Sequence, residues 1–161
     1  LGAPWSAVLS PDELRRPVLV GGYHGVWVPA GALADRRVAA EDLADLGARL
    51  GAGVVMPLPS GVCPVDRTAR IVSYLAAQSA GRCGPCRNGL PSLAHALDQA
   101  RKGADNDERI QELCGLVSGR GACAHPDGTA RLVRSLLRWF GDELHLHQRQ
   151  ECGHGALAPT G

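Results

Sequence analysis

Two glycine-bent turns, each set between helical patterns and each carrying cysteine, restrict what this 161-residue chain can fold into more than any other feature. The first runs Ser79-Ala-Gly-Arg-Cys-Gly-Pro-Cys-Arg87 and holds Cys83 and Cys86; the second runs Gly119-Arg-Gly-Ala-Cys-Ala-His-Pro-Asp-Gly128 and holds Cys123. Around them, apolar residues recur at helical spacing. Ile71, Val72 and Leu75 form a stripe on Val65 to Gln78, and Leu90, Leu93, Ala94 and Leu97 form another running up to Lys102. Ile110, Leu113, Cys114 and Val117 fall at i, i+3, i+4, i+7 on Asp107 to Val117, and Leu132, Val133, Leu136, Leu137 and Phe140 lie on Thr129 to Leu146. Four such faces bury one another as a small bundle. In an up-and-down bundle the turn after the first helix and the turn after the third share an end, which brings Cys83 and Cys86 near Cys123. Cys63 precedes the first helix and Cys152 follows the fourth, so both belong to the other end, roughly 20 Å away at about 1.5 Å per residue.

Residues 1–60 have a different character and read as a small α/β unit. Pro17-Val-Leu-Val-Gly-Gly22 is a short apolar run stopped by two glycines and His24-Gly-Val-Trp-Val-Pro29 is a second, with Gly21-Gly22-Tyr23 between them suiting a hairpin. Ala40 to Leu50 has helical spacing, with Leu43, Leu46 and Leu50 on one side and Glu41, Asp42 and Asp45 early, where a helix dipole favours negative charge. Gly51-Ala-Gly closes it, and Val54-Val-Met-Pro-Leu reads as a third strand. Gly21, Gly22 and Gly25 are not a dinucleotide loop, because strand follows strand where that loop needs a helix N-terminus. Trp27 and Tyr23 are read as packing residues.

Charge and length exclude several classes of function. Lys plus Arg number 17 against 16 for Asp plus Glu, so no global field draws nucleic acid or an anionic membrane surface. No apolar run reaches the length of a membrane span, and no charged leader precedes an apolar segment, so the expectation is a soluble, cytoplasmic protein without direct membrane insertion. The first residue, Leu1, points to a piece of a longer polypeptide. Six cysteines would allow three disulfides on arithmetic alone. With nothing signalling export and enough chain for a hydrophobic core, Cys-x-x-Cys reads as metal or redox chemistry instead.

The two cysteine turns resemble the cluster-binding region of the NADH-binding flavoprotein subunit of respiratory complex I and of its relatives in NAD-linked hydrogenases and formate dehydrogenases. That region reads Ser-Cys-Gly-x-Cys-x-Pro-Cys-Arg followed at a distance by Phe-Cys-Ala, and its four cysteines hold a 4Fe-4S cluster at one end of a four-helix bundle. A small ubiquitin-like (SLBB, β-grasp) domain precedes it, which Pro17-Val-Leu-Val-Gly-Gly-Tyr-His-Gly25 resembles. The resemblance covers essentially the whole chain. It implies an α+β fold with an SLBB-like domain over residues 1–62, an iron–sulfur-binding four-helix bundle over 63–150 and a flexible tail over 151–161.

By the same resemblance, electrons would pass from an upstream FMN/NADH-binding domain through an iron–sulfur cluster to an iron–sulfur or ferredoxin-like partner. The family's FMN and NADH region has no counterpart here, so those cofactors belong to the missing upstream part and no complete active site is expected. Ala80 stands where the family has its first ligand cysteine, so only Cys83, Cys86 and Cys123 carry over.

Three thiolates leave a 3Fe-4S cluster, a 4Fe-4S cluster with a non-cysteine fourth ligand, a zinc ion, or an empty structural site serving assembly. His125 is the nearest imidazole by sequence and would complete a cluster or a Cys3His zinc tetrahedron, although a solvent-facing turn residue before Pro126 is the plainer reading. Cys-Gly-Pro-Cys is also the dithiol of thioredoxin-like proteins, where it follows a strand. Cys114, on an apolar stripe, reads as a core residue. Asp127, Asp142, Glu143, His145 and His147 read as solvated caps and faces, since i, i+2 spacing turns the two histidines to different sides. A site of His145, His147, Cys152 and His154 with Cys63 is conceivable but disfavoured, the tail being polar and glycine-rich.

Overall fold

The computed structural model describes residues 2–154, and the chain divides into two units, one ending at Ser60 and the other beginning at Gly61. The first unit is built on a three-stranded antiparallel sheet in the order β2-β1-β3, with β1 at Val18–Val20, β2 at Val26–Val28 and β3 at Val55–Pro57. Val18 pairs with Val28 on one side and with Pro57 on the other. The expected hairpin forms through Gly21, whose φ of 94° lies in the left-handed region that glycine tolerates best. Leu19, Val20, Trp27 and Val28 are fully buried, as the strand reading of the apolar runs requires.

Two features of this unit depart from expectation. A one-turn helix, α1, spans Pro11–Leu14 and begins on a capping box in which Ser10 accepts from the Glu13 backbone while the Glu13 carboxylate accepts from the Ser10 N–H. Ser-x-x-Glu at positions 10–13 is the visible signal for it. The helix expected over Ala40 to Leu50 is instead a single 3₁₀ turn, Glu41–Leu43. The Arg36 guanidinium donates to the Asp42 carbonyl, and to the Asp45 carboxylate at 2.6 and 2.8 Å, tying this segment to the turn before it. Gly47 then turns the chain with φ of 70°. Leu43 and Leu46 are buried all the same, so the spacing reported burial correctly and conformation wrongly.

The second unit holds four long helices: α2 at Pro64–Ala77, α3 at Leu90–Arg101, α4 at Asp107–Val117 and α5 at His125–Gln148. Each neighbouring pair packs, α2 on α3 and α5, and α4 on α3 and α5. Their stripes are the expected ones: Ile71, Val72, Leu90, Leu93, Leu97, Ile110, Cys114, Leu132, Val133 and Leu136 are all 3% exposed or less. Among the described residues no helix is long and apolar enough to cross a membrane.

Hydrogen bonds between helix ends fix the direction of each helix. At one end, His125 at the start of α5 meets the Leu75 carbonyl near the end of α2, and Gly119 after α4 donates to Asp127. At the other, His147 near the end of α5 meets the Arg101 carbonyl closing α3, and Gln148 donates to Asp105 just before α4. The helices therefore alternate up and down. α5 is one helix only by hydrogen bonding: Phe140, with φ of −134° and ψ of 27°, breaks the helical dihedrals just before Gly141 and re-aims the last two turns.

Candidate functional site

The Cys-Gly-Pro-Cys turn begins irregular and opens into a wide π-helical turn, Pro85–Gly89, that runs directly into α3. Pro85 suits the first turn because its missing N–H would have had no helical partner there. Cys86 is thereby held on the buried side, 4% exposed, and Cys83 sits half-buried just outside. Gly89 sits where α3 and α4 touch, since a Cβ added there would run into Val117 Cγ1. Cys123 is carried on the loop between α4 and α5, which is pinned by the Ser118 hydroxyl on the Cys114 carbonyl at 2.7 Å and by the Gly119 N–H on Asp127 at 2.6 Å. Asp127 is thus a tether for that loop rather than a solvated cap.

The two turns meet. Hydrogen bonds from the Ala122 backbone N–H, then from Cys86, hold the Cys83 thiol below its ordinary pKa. Burial pushes the Cys86 thiol the other way, and the neighbouring charges of Cys83 and Cys123 add to that. Arg82, Arg87 and Arg120 are all exposed around this end. His125 is not a solvent-facing turn residue: it is half-buried at the start of α5, with Nε2 2.9 Å from the Leu75 carbonyl. Because α2 rather than a strand precedes Cys83, the surroundings of a thioredoxin-like dithiol are not reproduced.

At the opposite end a second set of donors converges, one that sequence alone disfavours. Cys63, Glu143, His147 and Cys152 present ligand atoms that all lie within 4.8 Å of one another. Cys63 is the residue before α2, with Pro64 opening the helix. Glu143 and His147 come from the last turns of α5, and Cys152 follows that helix. Neither Glu143 nor His147 is the solvated face residue expected, for they are 8% and 0% exposed; His145 alone of these three points out.

Over residues 151–154 the chain is hydrogen-bonded back to α5. The Glu151 N–H donates to Leu146, and the Gly153 N–H to Glu143 Oε1 at 3.0 Å. The remainder of the expected tail, 155–161, lies outside the described residues. Burial pushes the Cys63 thiol up to about 12 and raises Cys152 as well. Cys114 is a core residue with its thiol likewise raised by burial, to about 11. All six cysteines are free thiols.

Comparison with known proteins gives this geometry a context. The family model described as the NADH-ubiquinone oxidoreductase-F iron-sulfur binding region matches residues 66–147. The second F-type NADH-quinone oxidoreductase subunit of Rhizobium meliloti (strain 1021) is 30% identical over 145 residues, covering 87% of this chain and 34% of that protein. The F-type NADH-quinone oxidoreductase subunit of Escherichia coli (strain K12) is 27% identical over 136 residues, covering 77% and 31%. The chain thus spans about a third of the length of these relatives. In fold, it matches the crystal structure of an NAD+-reducing NiFe-hydrogenase in the H2-reduced state with a TM-score of 0.75 and 24% identity, over 96% of this chain and 27% of that one.

Proposed function

Because this chain belongs to the family of the NADH-ubiquinone oxidoreductase-F iron-sulfur binding region, we propose that Cys83, Cys86 and Cys123 hold an iron–sulfur cluster. On this reading the chain is an electron-transfer module of an NADH dehydrogenase-like flavoprotein. The observation that carries it is the family match over residues 66–147, which spans both cysteine turns, and it is supported by the approach of the second turn to the first, where the Ala122 backbone lowers the Cys83 thiol and the charge of Cys123 helps raise that of Cys86. When bound, such a cluster supplies one-electron transfer between two carriers, here an upstream FMN site and an iron–sulfur or ferredoxin-like partner.

The chain's own residues do the rest. The Ala122 N–H offers a hydrogen bond to a ligand sulfur, a contact that favours the more negative state and so raises the potential. Burial of Cys86 keeps water from one side of the site. Ala80 supplies no fourth thiolate, and His125, whose Nε2 is on the Leu75 carbonyl, would have to ligate through Nδ1, so with three thiolates from the two turns we assign a 3Fe-4S cluster. The first unit's three-stranded sheet supports reading it as the small β-grasp, SLBB-like module of the family, and the four alternating helices support a four-helix bundle. The proposed role of the first unit is docking.

Anaerobic purification with iron and acid-labile sulfide analysis, followed by EPR, tests the proposal. A 3Fe-4S cluster gives its signal in the oxidised protein; Cys123→Ser abolishes it, and Ala80→Cys moves paramagnetism to the dithionite-reduced protein as a 4Fe-4S cluster forms. Protein that emerges colourless, without iron or sulfide, overturns the reading.

A further inference from the structure

We propose that Cys63, Glu143, His147 and Cys152 form a tetrahedral binding site for a zinc-class divalent cation, separate from the cysteine turns and at the other end of the helices. A tetrahedron built on Zn–S of ~2.3 Å and Zn–N or Zn–O of ~2.0–2.1 Å has edges of roughly 3.3–3.8 Å. Four of the six edges stand close to those separations, and all six are within 4.8 Å. Cys63 Sγ lies 3.2 Å from His147 Nε2 and 3.8 Å from Glu143 Oε1. Glu143 Oε1 lies 3.6 Å from His147 Nε2 and 3.3 Å from Cys152 Sγ.

The groups behind the ligands are arranged for the same purpose. His147 Nδ1 is 2.8 Å from the Arg101 carbonyl, which only accepts, so the ring proton sits on Nδ1 and the Nε2 lone pair faces the thiol. Arg101 is itself held to Asp66 of α2 at 3.5 Å. Cys63 stands at the N-terminus of α2, with Pro64 as the first residue of that helix. The Gly153 N–H binds Glu143 Oε1 at 3.0 Å, and the His154 ring stands 3.8 Å from Oε2.

Two thiolates with one carboxylate and one imidazole make a borderline-soft donor set that suits zinc better than magnesium or calcium. On binding, each thiol loses its proton to solvent and no electron moves. Joining the residue before α2 to the residues after α5 would close the helical unit on itself, so the cation is structural rather than catalytic.

Reduced, chelator-treated 161-residue chain is titrated anaerobically with Co(II) and then Zn(II). The expected result is one equivalent of cobalt with a thiolate charge-transfer band and the intense visible bands of tetrahedral coordination, displaced by zinc. Cys152→Ser lies outside the helices and so tests a ligand without touching the core; it and His147→Gln weaken uptake at least ~10-fold, while Cys83→Ser leaves it unchanged. Zinc also raises the thermal midpoint of wild type and of Cys83→Ser but not of Cys152→Ser. Absence of tetrahedral cobalt in wild type, uptake that survives Cys152→Ser, or a Cys63–Cys152 disulfide that forms equally fast with zinc present each overturns the proposal. None of these outcomes bears on the cysteine turns, whose test is iron and sulfide.

Discussion

Asp107 opens α4 with its Oδ1 buried and without a hydrogen-bond partner. Burial pushes its carboxyl above the usual value, and His145, 3.8 Å away, pulls weakly in the other direction. Between the unfolded and the raised folded pKa the native state binds more protons, so stability falls as pH rises through that window. Asp107→Asn removes this loss, and its urea midpoint gains on wild type as pH rises above the ordinary carboxylate value of about 4. A gap independent of pH would refute the assignment. Single residues differ in how plainly they speak from sequence. Cys114 is legible because its stripe gives it apolar company. Glu143 is not, because the i, i+2 pair His145 and His147 suggests divergent side chains, when Glu143 and His147 at i, i+4 share a face.

Helices are legible where apolar spacing runs uninterrupted: spacing alone gives α4 as Asp107 to Val117, and α2 to within a residue at each end. The Ala40 to Leu50 segment fails because Arg36, six residues back, bridges to the Asp42 carbonyl and Gly47 turns the chain, and apolar spacing reports neither. How α3 meets α4 is also invisible from spacing. Gly89 lets Val117 approach, so Gly89→Ala is expected to cost about 1–3 kcal/mol in overpacking. Gly115, on α4 with open space around it, serves as the contrast: Gly115→Ala is expected to add about 0.5–1 kcal/mol through helix propensity. Urea denaturation of the two variants decides, and equal changes of the same sign would show that the contact at Gly89 is unimportant.

At the scale of the whole molecule, the second unit contains both groups of cysteines and its own apolar core, so residues 61–161 are expected to fold alone. That fragment should show a cooperative helical transition by circular dichroism and keep the iron–sulfur EPR signal; an unfolded fragment would mean that the two units depend on each other. Apolar spacing by itself settled the α+β class and the four helices, and the resemblance carried by the cysteine turns pointed to the family, because these depend on local periodicity and local motifs. Only the tertiary structure decided that the chain folds back after α5, that the kink at Phe140 re-aims Glu143 and His147, and that both meet Cys63 across the unit. Those contacts join residues some eighty positions apart through helix-end geometry, and no local pattern in a sequence records where a helix bends.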